Sequence, residues 1–139
     1  ETHLIPNALK SLVGKKNQFT IFGSNYPTKD GTCIRDYVHV NDIVKAHYLA
    51  MSKLKEATLK NEFNIGLGLG FSILEIIAAC NTVTQKKIEL EYGDKRDGDP
   101  PTLIADNKKI KSALNWEPEY TCIKEIIKTA WNWHSKKHS

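Results

Sequence analysis

At 139 residues, 40% of them hydrophobic, the chain is one ordinary domain's worth and can bury a core. Twenty Lys and Arg against sixteen Asp and Glu leave a formal charge of +4, too weak to argue for nucleic acid; the Lys pairs at 15–16, 86–87, 108–109 and 136–137 are scattered, lack interleaved aromatics and read as solvated faces. Cys33, Cys80 and Cys122 include no C-x-x-C pair, and no apolar run approaches ~18 residues, so a disulfide scaffold, a cysteine-based zinc site and a membrane span are all disfavoured and a cytoplasmic protein is expected.

The elements follow in chain order. Residues 5–13 read as a short helix stopped by Gly14, and 19–22 as a strand running into Gly23. Residues 23–33, rich in Gly, Asn, Pro and Asp, form a loop. Alternation over 34–40 predicts a strand. A helix capped by Asn41 or Asp42 follows, with Ile43, Ala46, His47, Ala50 and Leu54 on one face. Residues 62–65 predict a strand. Ser72 and Glu75 form a capping box before a helix striped by Ile73, Ile76, Ile77 and Cys80. A strand over 88–91 leads into a charged Gly/Pro loop at 93–101, then a helix over 107–114 and a turn at Pro118. The last helix carries Ile123, Ile126, Ile127, Ala130 and His134. Strands alternating with helices give an α/β class, with four short strands in one small mixed sheet flanked by helices.

Three local patterns resemble sites. Gly66-Leu67-Gly68-Leu69-Gly70 lies between a strand and a helix, as a dinucleotide fingerprint does, and Glu89 and Glu91 follow at about 20 residues. Its spacing is G-x-G-x-G rather than G-x-G-x-x-G, so a tight turn closed by the capping box is the better reading. Tyr120 and Lys124 have the Y-x-x-x-K spacing that lets a Lys lower a Tyr pKa on one helical face. Here the Tyr precedes the helix and reads as a packed aromatic at its start. His134 and His138 stand at i,i+4 near the end of the chain, a pair expected to face solvent or pack partly rather than hold zinc.

Two arginine clusters carry more information. Arg35 and Asp36 open a strand, and Arg96, Asp97 and Asp99 sit in a loop after another. A guanidinium is a planar fork that binds phosphate oxygens bidentately, and Asp99 could accept hydrogen bonds from sugar hydroxyls. The alternative is an Arg–carboxylate network pinning loops, Arg35 with Asp36 or Arg96 with Asp99. Spacing leaves both open.

At these residues a family becomes recognisable. Thr20-Ile21-Phe22-Gly23, Tyr26-Pro27-Thr28, Asp30-Gly31-Thr32 and Arg35-Asp36-Tyr37-Val38-His39-Val40 resemble the UDP-glucose 4-epimerases, as do Phe63-Asn64-Ile65-Gly66, Gly98-Asp99-Pro100 and Leu114-Asn115-Trp116. The resemblance extends over nearly the whole chain. The Arg35 and Arg96 motifs are shared by other extended short-chain sugar-nucleotide enzymes; the Tyr-Pro-Thr-x-Asp-Gly-Thr stretch is the part specific to epimerases.

The resemblance implies that residues 1–139 are a single substrate-binding C-terminal domain. The NAD-binding Rossmann domain, with the catalytic Tyr and Lys, would lie in a missing N-terminal half. Glu1 as first residue and Met51 as the only methionine fit a chain whose beginning is missing or processed. The implied ligand is UDP-glucose or UDP-galactose, and the implied assembly of the whole enzyme is a homodimer. By resemblance, His3 and Leu4 approach the diphosphate, Thr20, Ile21 and Phe22 meet uracil through their backbone, Arg35 and Arg96 clamp the pyrophosphate, Asp99 accepts from the ribose, and Leu103 gates the sugar. Leu103 is smaller than the Tyr found at that gate in relatives, which implies room for an N-acetylated sugar. The apolar stripes 43/46/50, 76/77/80 and 126/127/130 are expected to pack partly against elements outside this chain. Two other readings stay open: part of another extended short-chain enzyme, a dehydratase or decarboxylase, and a free-standing basic binding module.

Overall fold

Leu4, Ile5, Ala8, Leu9 and Leu12 recur at helical spacing, and they form the inner face of α1 (Leu4–Val13), which Gly14 ends as expected. The computed structural model describes residues 3–14, 17–53 and 62–137. Leu54, the Lys pair at 15–16 and His138, singled out above, lie outside them.

Five helices and five strands are interspersed through the described residues. After α1 come β1 (Gln18–Phe22), β2 (Ile34–Arg35), α2 (Val40–Ser52), β3 (Phe71–Ser72) and α3 (Ile73–Thr84). Then follow β4 (Glu89–Gly93), β5 (Thr102–Leu103), α4 (Lys108–Leu114) and α5 (Ile123–Lys137). The α/β class holds. The single four-stranded sheet does not: β1 and β4 pair in parallel from Gln18↔Glu89 to Phe22↔Gly93, while β3, β2 and β5 form a second small sheet. In it β2 runs antiparallel to β3 and parallel to β5, with Arg35 opposite Leu103.

One core lies between α1, α3 and α5, where Leu9, Ile76, Cys80 and Ile127 are fully buried together. Burial in this apolar setting pushes the Cys80 thiol up to about 12. A second core joins Ala46 of α2 to Ile110, Leu114 and Trp116, whose indole N–H donates to the Asp42 carbonyl at 3.0 Å. The stripes expected to seek outside partners are therefore largely covered by the chain's own elements. The exposed apolar face lies elsewhere on α2, at Val40, Val44, Tyr48 and Met51. His47, assigned to the inner face, is exposed, with Nδ1 2.8 Å from the Ile43 carbonyl.

Three local expectations change for identifiable reasons. The strand over 34–40 stops after Arg35, because the Asp36 carboxylate takes the backbone N–H groups of Leu67, Gly68 and Ala105 and turns the chain off the ladder. The cap of α2 is His39, whose Nδ1 accepts from Asn41 N at 3.1 Å. Asp42, proposed as cap, is buried and accepts instead from Glu119 N and Tyr120 N, tying the Pro118 turn to α2. Residues 62–65 alternate in burial as a strand would, but form no strand among the described residues. The Ser72–Glu75 capping box is present in both directions.

The loop between β1 and β2 is built by its own polar side chains. Tyr26 N donates to the Gly31 carbonyl, Thr28 Oγ1 to the Thr32 carbonyl, and Asp30 accepts from the backbone and hydroxyl of Thr32 and from Ser72 Oγ. These bonds stabilise the ionised form of Asp30 and hold its carboxyl below the usual range even though burial works the other way. The loop thus docks on the start of α3 and delivers Cys33, Ile34 and Arg35 to β2.

Candidate functional site

A cleft of about 880 Å³ opens where the start of α1, the end of β1, residues 33–43 and the 96–99 loop converge. Eight of the nine residues singled out from the sequence line it: His3, Leu4, Thr20, Ile21, Phe22, Arg35, Arg96 and Asp99. They come from four chain segments that only the fold brings together. Leu103 is the exception. It lies outside the lining, 59% exposed, opposite Arg35 in the β2–β5 pair.

The two arginines sit in different electrostatic situations. Arg35 Nη1 donates to the carbonyls of Ile34 and Pro100, at 2.9 and 2.8 Å, and its Nη2 lies 3.3 Å from Asp99 Oδ1. It fastens the 96–100 loop to β2. Neither pairing foreseen from spacing forms: Asp36 is engaged with backbone amides, and Asp99 pairs with Arg35. Arg96 instead lays its guanidinium over the Phe22 ring, 4.1 Å from the centroid. A cation over a ring face is held in place while its in-plane N–H donors stay free. No ion pair or hydrogen bond to the Arg96 guanidinium occurs among the described residues. The cleft therefore presents one arginine committed to architecture and one with its donors available.

The loop that carries Arg96 and Asp99 closes through an Asp99 N–H bond to the Arg96 carbonyl at 3.3 Å. Gly98 allows this with φ of +81°, a left-handed conformation that costs glycine little. Both side chains thus reach the cleft from one tight turn.

Cys33, Asp36, Tyr37, Val40 and Ile43 also line the cleft, though sequence reasoning did not single them out as ligand-facing. The Arg-Asp-Tyr run was the available signal, since an Arg at a strand start fixes what its neighbours face. Burial pushes the Tyr37 hydroxyl up to about 12, so it stays protonated at neutral pH.

The glycine turn offers no cradle for a dinucleotide. Leu67 N and Gly68 N already donate to the Asp36 carboxylate at 2.9 and 2.8 Å, and the first amides of α3, those of Ile73, Leu74 and Glu75, donate to the Cys33 carbonyl, Thr32 Oγ1 and Ser72 Oγ. A Cβ on Gly66 would lie 2.5 Å from Asp36 Oδ2, so this glycine serves the carboxylate and not a pyrophosphate. The residues present therefore do not fit NAD at this turn. Tyr120 stacks on His39 with ring centroids 3.7 Å apart, the packed role expected for it. His134 is buried, and no group of three or more His, Cys, Asp or Glu that could hold a metal occurs among the described residues. No helix among them is long and apolar enough to cross a membrane.

Comparison with known proteins converges on one family. The profile of the NAD dependent epimerase/dehydratase family matches residues 1–66. The UDP-glucose 4-epimerase of Halalkalibacterium halodurans is 45% identical over 138 residues, which is 99% of this chain and 41% of that protein. Among solved structures, the UDP-Glc/GlcNAc 4-epimerase of Campylobacter jejuni superposes with a TM-score of 0.83 at 43% identity, covering 96% of this chain and 40% of that one. The UDP-glucose 4-epimerase of Brucella ovis, solved with NAD, gives 0.87 at 40% identity, covering 96% and 41%. The chain spans about two-fifths of the length of these relatives, and along nearly all of its own length it corresponds to a C-terminal portion of the UDP-glucose 4-epimerases.

Proposed function

We propose that the cleft holds the nucleoside diphosphate of a UDP-sugar, and that residues 1–139 are the substrate-holding domain of a UDP-glucose 4-epimerase. The observation that carries this reading is the convergence of His3, Leu4, Thr20–Phe22, Arg35, Arg96 and Asp99 on one cleft. A UDP-sugar brings two phosphates and no other charge, so its site must supply cations with directional donors. Arg96 has those donors free beside the Phe22 ring. Arg35 presents its guanidinium to the same cleft while fixing the loop that carries Arg96. The backbone of Thr20–Phe22 is assigned to uracil, Asp99 to the ribose, and His3 with Leu4 to the diphosphate.

The whole protein would interconvert UDP-glucose and UDP-galactose. NAD, held by sequence outside this chain, would supply hydride-transfer chemistry at C4 of the hexose, while this chain's residues hold the nucleoside diphosphate. NAD binding is assigned to sequence outside this chain, a reading supported by a relative that was solved with NAD and of which this chain covers 41%. A cytoplasmic homodimer is the assembly proposed for the whole protein. What this chain contributes is binding energy remote from the reacting carbon, which positions the hexose. Leu103, exposed beside the Arg35 strand, would border the sugar and leave space for an acetamido group. The Campylobacter jejuni relative, described as acting on both UDP-Glc and UDP-GlcNAc, supports that extension.

The test is a chimera of this chain with the N-terminal part of the Halalkalibacterium halodurans enzyme, titrated calorimetrically with UDP. Binding weakened in Arg96→Ala, with an unchanged melting temperature, supports the assignment. Equal UDP affinity in the parent and in a folded Arg96→Ala variant defeats it.

A further inference from the structure

Tyr26 lies in the loop between β1 and β2, buried at 7% exposure, and does not itself line the cleft. Its ring stands behind two of the cleft's walls. A Cβ on Gly23, the residue after β1, would lie 2.5 Å from Tyr26 Cε2, so the ring abuts that backbone closely. The Lys95 ammonium sits over the same ring, 4.5 Å from its centroid, and donates to the Asn25 carbonyl at 3.0 Å. Tyr26 thus ties the end of the Thr20–Phe22 strand to the stem of the turn that carries Arg96 and Asp99.

The hydroxyl on that ring has no such use. Thr28, Lys29, Asp30 and Thr32 of the same loop all have side-chain partners, whereas Tyr26 Oη is buried with no hydrogen-bond partner among the described residues. A buried donor left unmet is costly, and a phenylalanine would keep the ring without that cost. The groups that act on the hydroxyl are the Cys33 thiol, the Asp99 carboxylate and the Arg35 guanidinium. Burial, with Cys33 and Asp99 nearby, pushes its pKa up, so at neutral pH it is a protonated donor. Asp99 is the acceptor with capacity to spare. Its Oδ1 is 3.3 Å from Arg35 Nη2, long against the about 2.7–2.9 Å of a charge-assisted bond, and its Oδ2 has no hydrogen bond or ion pair among the described residues. Arg35 is anchored independently of Asp99, through Nη1 to the Ile34 and Pro100 carbonyls.

We infer that Tyr26 is a positioning residue for Asp99 in the ligand-bound cleft: its hydroxyl donates to the Asp99 carboxylate in place of Arg35 Nη2, which turns to the ligand's phosphate. The exchange follows from charge. A phosphate drawn to the Arg35 guanidinium would leave Asp99 without its cation and beside a second negative group. A neutral hydroxyl meets the carboxylate without adding a charge that competes for the phosphate, and Arg35 keeps its Nη1 anchors throughout. Asp99 is then held in place for the ribose. The inference rests on the UDP-sugar reading of the cleft, and adds to it how an arginine already paired with a carboxylate becomes available to the ligand.

Tyr26→Phe in the chimera is titrated with UDP and, separately, melted without ligand. The ring contacts remain, so the unliganded melting temperature should not fall. The UDP dissociation constant should rise about tenfold, the low end for a hydrogen bond to a charged group. Added to Asp99→Ala, the same substitution should change it by less than about twofold, because the acceptor is already gone. Equal UDP affinity in the parent and in Tyr26→Phe overturns the inference. So does a loss of affinity matched by a lower unliganded melting temperature, which would make the hydroxyl a structural prop, or a loss that persists in full without Asp99. Should Asp99→Ala not fold, the first two comparisons still decide. A parent chimera that does not bind UDP would sink the ligand reading itself, whereas a parent that binds UDP beside an indifferent Tyr26→Phe sinks this inference alone.

Discussion

Arg35 and Arg96 look equivalent in the sequence, each beside an acid and each near the edge of an expected strand, but the fold gives them different work. Arg96→Ala removes a guanidinium that makes no hydrogen bond or ion pair among the described residues, so UDP binding by the chimera should weaken by about 1.5–3 kcal/mol with no change in melting temperature. Arg96→Lys should recover only part of that loss, because the ammonium keeps the charge but not the fork. Arg35→Ala should lose both affinity and stability, since the Pro100 carbonyl and the Asp99 carboxylate lose their donor together. Asp36→Asn should act on stability first. One amide group cannot accept what two carboxylate oxygens accept from Leu67, Gly68 and Ala105, and its NH₂ would face N–H donors. A cost of about 1–3 kcal/mol is expected in a denaturant melt of the chain.

At the level of elements, the caps are the most exposed to test. Ser72→Ala should cost about 1 kcal/mol, because it removes the acceptor of Glu75 N and the hydroxyl that reaches Asp30, loosening the loop ahead of Arg35 as well as α3. His39 caps α2 and joins α5 through a 2.9 Å contact between Nε2 and Thr129 Oγ1, while stacking on Tyr120. Burial pushes its pKa below the ordinary value, and Asp42 nearby offsets this only in part. The folded state therefore disfavours the proton. Its contribution to stability is present above the unfolded pKa of about 6.5 and is lost as pH falls toward the depressed folded value. The melting temperature of the chain should drop as pH falls below the ordinary histidine range of about 6.5, and His39→Asn, which keeps a cap acceptor but cannot titrate, should flatten that dependence. The carboxyls of Asp30, Glu75 and Glu119, also held below their ordinary values, lose their share only at lower pH.

For the molecule as a whole, the division of labour between this chain and the rest of a relative has a direct consequence. The role proposed for the cleft is to bind and orient, and Tyr120 and Lys124 form no proton-transfer pair in it: the Tyr120 ring is stacked on His39, Lys124 lies on the helix that follows it, and neither lines the cleft. The purified 139-residue chain with added NAD should not interconvert UDP-glucose and UDP-galactose, and turnover by it in a coupled assay would refute the assignment of catalysis elsewhere. The chimera should turn over both sugars. If Leu103 borders the hexose, it should also accept UDP-N-acetylglucosamine, and Leu103→Tyr should depress that activity more than the activity on UDP-glucose.

How much of this could be read without coordinates depends on the range of the interaction. Helices with their own signals were legible: the apolar stripe and Gly14 bounded α1, and the Ser72–Glu75 box placed the start of α3, because those contacts span a turn or two of chain. The residues that the fold brings to the cleft were singled out through the resemblance of their motifs, not through spacing, which left two pairings open. The structure formed neither. Asp36 turned to three backbone amides from two distant loops, and Asp99 turned to Arg35 across 64 positions. The same carboxylate shortened the strand expected over 34–40 to Ile34–Arg35, and His39 took the cap assigned to Asn41 or Asp42 because Asp42 was drawn to the Pro118 turn. By itself the sequence determined the local elements, the charge types and the family likeness. Tertiary structure alone decided which acid meets which base, which arginine keeps its donors free, and which face of α2 is left uncovered, because each is a competition among partners far apart in the chain.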